Sequence, residues 1–178
     1  MPRPSSLASP TDLDPEIVRA IGASILFASF LDYALSVHLY RLITPKGHPM
    51  QDAPLAVTLG MDVRVKLGLM RTTFRMHAPH ASEEFDGLTQ ELGDWFDKKR
   101  NAMAHYLWRP GTKPGTADGY AYKAVSRWQK PELKGVTAAQ IIEWTATAQR
   151  LAHRINEAIT EAGLPTPQDL LLGAPPVP

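Results

Sequence analysis

Apolar residues recur at intervals of three and four through several long stretches of the chain, the period of helices that bury one face. The first stretch is the longest. Asp14 and Pro15 read as N-cap and first helical position, and Ile17, Ile21, Ser24, Ala28, Leu31, Leu35 and Leu42 then form one stripe to about Ile43. Ile25, Leu26, Phe27, Phe30 and Val37 widen the apolar surface beyond that stripe. A helix this apolar is either central to a bundle or shared with another subunit. Asp32, His38 and Arg41 interrupt it, so the pattern predicts a buried helix rather than a membrane span, with no membrane partner.

The segment "TPKGHPMQDAP" is a loop. A short helix over residues 55–59 is predicted to lead into another over 62–76, with Leu59, Val63, Leu67, Met70 and Phe74 inward. Ser82, with Glu83 and Glu84 after it, marks the next helix start, and the helix runs from 83 to about 104 on a stripe of Phe85, Leu88, Leu92, Trp95, Phe96 and Met103. The pattern then changes to alternation. "HYLWRP" and "GYAYKAVSRW" read as two short strands joined by the turn "GTKPGTAD". Thr137 and Gln140 form a capping box that opens a last helix to about Ala162, with Ile141, Trp144, Ala148, Leu151, Ile155 and Ile159 inward and Gly163 at its end. The predicted fold class is all-α, an up-and-down helical bundle with a small β-hairpin inserted before the last helix. It would be one domain over 14–163, between a disordered N-terminus (1–13) and a flexible Pro-rich tail (164–178).

Composition adds little until charge is mapped. Hydrophobic residues are 44% and charged residues 21% of 178, ordinary for a globular domain. The absence of cysteine excludes disulfides and thiolate metal sites, and suits a reducing cytoplasm. "MPRPSSLASPTDLDPE" has no apolar signal core, so a cytoplasmic location is expected. The net charge of +1, however, conceals an asymmetry. From Lys98 to Lys134 there are nine basic and two acidic residues, giving +7, while the remainder carries ten basic and sixteen acidic residues, giving −6. That concentration fits a polyanion-binding face or a solvated basic surface equally well.

The stretch "WFDKKRNAMAHYLW" (95–108) lies where that charge begins. Arginine followed by histidine after four to six intervening residues is a weak pattern. About one match is expected by chance, and the chain has four: Arg41/His48, Arg71/His77, Arg75/His80 and Arg100/His105. Requiring Asn, Asp or His directly after the arginine leaves only Arg100-Asn101, against a chance expectation of about 0.1. At about 100° per residue, Asn101 and His105 share a face with Asp94, opposite the apolar stripe, with Arg100 on the flank. A satisfied core histidine therefore fits poorly. A basic, solvent-exposed helix end, favoured by the helix dipole, accounts for the same residues without any chemistry.

Around this motif, "RNAMAH", the chain resembles the HEPN superfamily (higher eukaryotes and prokaryotes nucleotide-binding), whose mark is Arg, a polar residue and then His at the end of a helix in a bundle. The likeness extends to the acidic residue in the apolar first helix ("FASFLDYAL"), the lysine in a middle helix ("VRVKLGLM") and the tryptophan after the histidine ("HYLW"). It covers roughly residues 14–162, with real specificity only over 99–108. A toxin subgroup carries tyrosine two positions after its histidine; here Tyr106 is adjacent, and the chain is not assigned to that subgroup.

The resemblance implies metal-independent endoribonuclease or RNA-binding activity in a toxin-antitoxin or defence setting, with no cofactor and no metal. The implied catalytic residues are Arg100, Asn101 and His105. An imidazole with pKa near ~6.5 can take the ribose 2′-hydroxyl proton or protonate the 5′-oxygen, and an arginine can stabilise the charge on the phosphorane. Lys98, Lys99, Tyr106, Arg109, Lys123, Arg127 and Lys130 are the candidate RNA contacts. A two-fold homodimer would bring two histidines into one cleft, and an inhibitory protein partner is left open. The alternative from another class is a non-catalytic nucleotide-binding or protein-interaction module. Tyr106, Trp108, Tyr120, Tyr122 and Trp128 suit either base stacking or packing of the hairpin. His77 and His80, near Glu83 and Glu84, lack the spacing of a helical zinc motif, and His38 and His153 read as structural.

Overall fold

A computed structural model describes residues 12–43, 57–121 and 131–164. The protein is mostly helical, with one small antiparallel sheet. In chain order the elements are α1 (Pro15–Ile43), α2 (Val63–His77), a 3₁₀ turn (Pro79–Ala81), α3 (Ser82–Trp95), a π-turn (Phe96–Arg100), α4 (Asn101–His105), β1 (Leu107–Pro110), β2 (Thr116–Tyr120), β3 (Leu133–Thr137) and α5 (Ala138–Glu161).

Local chemistry fixes the helix ends. Asp14 Oδ1 accepts the Glu16 N–H at 2.8 Å ahead of α1, and Asp62 Oδ1 accepts the Arg64 N–H at 2.8 Å ahead of α2. Thr137 and Gln140 exchange both bonds of the capping box, at 2.9 and 3.2 Å. Gly163, at φ 67°, ends α5, and Leu164 N–H returns to Ile159 O. Ser82 opens α3 differently from expectation, its hydroxyl donating to the Pro79 carbonyl at 2.8 Å.

The chain divides into two compact units. The first joins Met1–Ala28 to Trp95–Thr147. Its core includes Ile17, Ala28, Trp95, Phe96, Met103, Trp108, Ala117, Val136 and Ile141, with Phe27 and Phe96 each edge-on to Trp95. Ser24 and Thr145 hydroxyls meet at 2.6 Å. The second joins Ser29–Asp94 to Ala148–Pro178. There Phe74 stacks on Phe85 at 3.9 Å between ring centres, in a core that includes Leu35, Leu67, Met70, Leu92, Ile155 and Ile159. Buried Lys66 donates to Asp32 Oδ1 at 2.6 Å, and buried Arg41 donates to His38 Nδ1 at 2.9 Å and to Asn156 Oδ1 at 3.1 Å. The acidic residue of the first helix and the lysine of the second thus form one ion pair.

Several expectations are corrected. The hairpin is a three-stranded sheet in the order β1-β2-β3. Its first turn is shorter than expected, with β2 starting at Thr116 after Gly115 at φ 70°. The third strand escaped the alternation rule because Gly135, at φ 63°, and a register shift between Ala117 and Gly119 break the two-residue period. Asp118 Oδ1 accepts the Gly135 N–H at 2.7 Å across that irregularity. Most of the expected second strand, from Tyr122 on, lies outside the described residues.

The helix predicted over 83–104 is not continuous α-helix, because the π-turn interrupts it. Leu59 is exposed rather than inward, and Trp144 is only half-buried. Leu164, assigned to the tail, is buried against the end of α5. Finally, α1 was expected to be a buried helix, but only 33% of its most apolar window is buried, and it is long and apolar enough to cross a membrane by length and composition. Val18, Leu26, Phe30 and Tyr33 are exposed along it.

Candidate functional site

The site forms in the first unit, where a tryptophan pair sets the local backbone. Trp95 and Phe96 are consecutive and both buried. The Trp95 indole N–H donates to the Trp144 carbonyl of α5 at 2.7 Å. Over the next residues the backbone widens, and Asn101 N–H reaches back five positions to Phe96 O. Lys99 lies in that turn with its ammonium 4.3 Å from the centre of the Trp144 ring. Trp144 therefore engages the chain on both sides of Phe96. Single π-turns inside α-helices are rare and concentrate at functional sites.

Ala102 and Met103 return to the core and leave the other side of α4 to the motif. Arg100 Nη1 donates to Asn101 Oδ1 at 3.0 Å and lies 3.4 Å from His105 Nε2. Arginine only donates, so as a hydrogen bond this contact makes Nε2 the acceptor. His105 is exposed, and Arg100 and Asn101 are half-buried. The result is a cation turned toward the ring nitrogen of an exposed imidazole: an anion-stabilising group and a basic ring within one small cluster.

Of the expected RNA contacts, Lys98 is exposed, whereas Lys99 rests on Trp144. The Arg109 guanidinium lies 5.7 Å from the Tyr120 ring centre, and its Nε is buried without a hydrogen bond. The indole nitrogen of Trp108 is likewise without one. Tyr106 donates its hydroxyl to the Glu132 carboxylate; that bond, burial and the carboxylate charge push its pKa up to about 12 and keep it a neutral donor. Lys123, Arg127 and Lys130, with Tyr122 and Trp128, lie outside the described residues. The structure thus brings Arg100, Asn101 and His105 together and gives Lys99 and Arg109 separate aromatic partners.

Two residues of this region, Glu132 and Gly119, were given no role from the sequence, and Trp144 was expected only as a core position of the last helix. Only Gly119 left a signal, as a glycine inside a strand, where close approach of another group is the usual reason. A Cβ there would lie 3.1 Å from Tyr106 Cδ2. Among the described residues no group of three or more His, Asp or Glu is placed to hold a metal ion. His77 Nε2 lies 3.1 Å from the Leu42 carbonyl. His153 pairs with Glu157 at 3.2 Å on an exposed helix face. Compared with known proteins, the chain matches no family model, no curated protein and no solved structure.

Proposed function

We propose that this protein is a HEPN-like, metal-independent endoribonuclease, folded as an up-and-down bundle around its sheet and acting as a cytoplasmic homodimer. The observation that carries the reading is the meeting of Arg100, Asn101 and His105 at 3.0 and 3.4 Å where a π-turn ends, with the imidazole exposed. On this reading His105 Nε2 removes the proton from a ribose 2′-hydroxyl. The 2′-oxygen bonds to the adjacent phosphorus, the bond from phosphorus to the 5′-oxygen breaks, and a 2′,3′-cyclic phosphate remains. Arg100 neutralises the charge that builds on the non-bridging oxygens. Asn101 holds the guanidinium through its Oδ1.

The departing 5′-oxygen needs a proton, which one histidine that has just acted as base supplies poorly. His105 of a second copy, protonated, fills that role in a two-fold cleft. The exposed apolar residues of α1 are the face offered to that copy. The +7 segment from Lys98 to Lys134 supplies the attraction for RNA. The test is cleavage of a mixed RNA pool in the presence of a chelator, comparing wild type with His105→Ala. Binding of RNA without cleavage by the wild type would favour the non-catalytic nucleotide-binding module instead.

A further inference from the structure

His105 is the last residue of α4, and the chain turns into extended backbone at Tyr106 (φ −82°, ψ 146°) before entering β1. The direction of that turn sets where the imidazole lies relative to Arg100, and three contacts hold it. The Tyr106 N–H bonds back to Ala102 O at 3.1 Å. The Tyr106 ring lies over Gly119 of β2, so close that any Cβ would meet it at 3.1 Å. The Tyr106 hydroxyl donates to the Glu132 carboxylate, and the Glu132 N–H donates to Gly119 O at 3.0 Å. Glu132 therefore binds both the backbone under the ring and the hydroxyl at its tip. It closes a clamp on the residue next to His105, although it is twenty-six positions from Tyr106 in sequence.

We propose that Glu132 is a positioning residue for His105, acting through Tyr106. It touches neither Arg100 nor His105 in any contact seen among the described residues. Its effect runs through the turn at Tyr106, which keeps Nε2 facing Arg100 Nη1 at 3.4 Å. Its own charge is not required for this, only an acceptor oxygen at that place. Glu132 is the sole acidic residue besides Asp118 in a segment of nine basic ones, and Asp118 is already engaged by Gly135. An acidic group in an RNA-attracting segment is a cost to binding; the clamp gives a structural reason for it to be there. The inference rests on the ribonuclease reading for its consequence in rate, but not for the geometry of the clamp.

The experiment compares Glu132→Ala, Glu132→Gln and Tyr106→Phe in the full chain, each checked for a native circular dichroism spectrum. The first readout is the pair of ring ¹⁵N shifts of His105, assigned by loss of the signals in His105→Ala. Glu132→Ala and Tyr106→Phe should move those shifts toward a ring in free tautomer exchange, and Glu132→Gln, which keeps an acceptor oxygen, should leave them as in wild type. The second readout is RNA cleavage. Glu132→Ala and Tyr106→Phe should lower kcat by about 10- to 100-fold with little change in KM, as a small misplacement of a catalytic group does, with Glu132→Gln restoring most of the rate. His105 shifts unchanged in a folded Glu132→Ala protein would overturn the proposal. If the wild type cleaves nothing, the ribonuclease reading fails, and the ¹⁵N shifts alone still decide the clamp.

Discussion

Lys66 and Asp32 stand thirty-four residues apart in sequence and 2.6 Å apart in space, the lysine side chain almost wholly buried and the aspartate partly exposed. The pairing explains why an apolar helix keeps a carboxylate. An unpaired ammonium in that interior costs several kcal/mol, and Asp32 offsets this while staying in touch with water. The same economy governs His38, one turn before the fully buried Arg41. Burial, and then the guanidinium beside it, hold its pKa down at about 4 against the usual 6.5. The folded state therefore wants this ring neutral, with Nδ1 accepting from Arg41 at 2.9 Å. The contribution to stability is full above the unfolded pKa, near pH ~6.5, and is lost as pH falls toward ~4, because the unfolded chain takes up the proton first. The loss amounts to about 3 kcal/mol. In urea unfolding, His38→Gln should lose that much less stability than wild type between pH 7 and pH 4. An equal acid loss in both proteins would show that His38 does not carry it.

Helix stripes were legible in the sequence because each is written locally. Phe85, Leu88, Leu92, Trp95, Phe96 and Met103 are all buried, and so are Leu67, Met70 and Phe74. Arg100, Asn101 and His105 were legible as a set for the same reason, since six consecutive residues hold all three. What sequence did not reveal depends on partners brought from far along the chain. The π-turn follows from Trp95 and Lys99 both meeting Trp144, about forty-five residues on. β3 follows from Asp118 satisfying the backbone of Gly135, and the clamp on Tyr106 from Glu132. A uniform 100° per residue was therefore a sound guide up to Phe96 and a poor one across the next turn. The π-turn holds one residue more than an α-turn, so deleting exposed Lys98 restores ordinary spacing. Lys99 then rotates by about 100° away from its place over Trp144, while the motif keeps its internal spacing. Helical circular dichroism should be retained and RNA cleavage should fall at least about tenfold. Undiminished cleavage by the deletion protein would separate the π-turn from the site's chemistry.

On the scale of the whole molecule, two properties remain unexplained by the fold of one chain. One is the positive segment from Lys98 to Lys134, set against a negative remainder. The other is α1, where Phe30 is 65% and Leu26 is 60% exposed on a helix this apolar. Water contact at these residues is unfavourable by roughly 25 cal/mol per Å² of apolar area, which the proposed second copy would remove. Light scattering at micromolar concentration should therefore give the mass of a dimer, and Phe30→Glu should give that of a monomer. A wild-type monomer would leave a single His105 at each site and remove the paired acid and base. The most direct test of the central claim is cleavage itself, measured with a chelator present on purified wild type, Arg100→Ala and His105→Ala. The wild type should cut single-stranded RNA and leave cyclic phosphate ends. Each variant should lose most of that activity while its stability changes by no more than about 1 kcal/mol, as for other surface substitutions. A wild type that cuts nothing, or variants that cut as well as it does, would contradict the account.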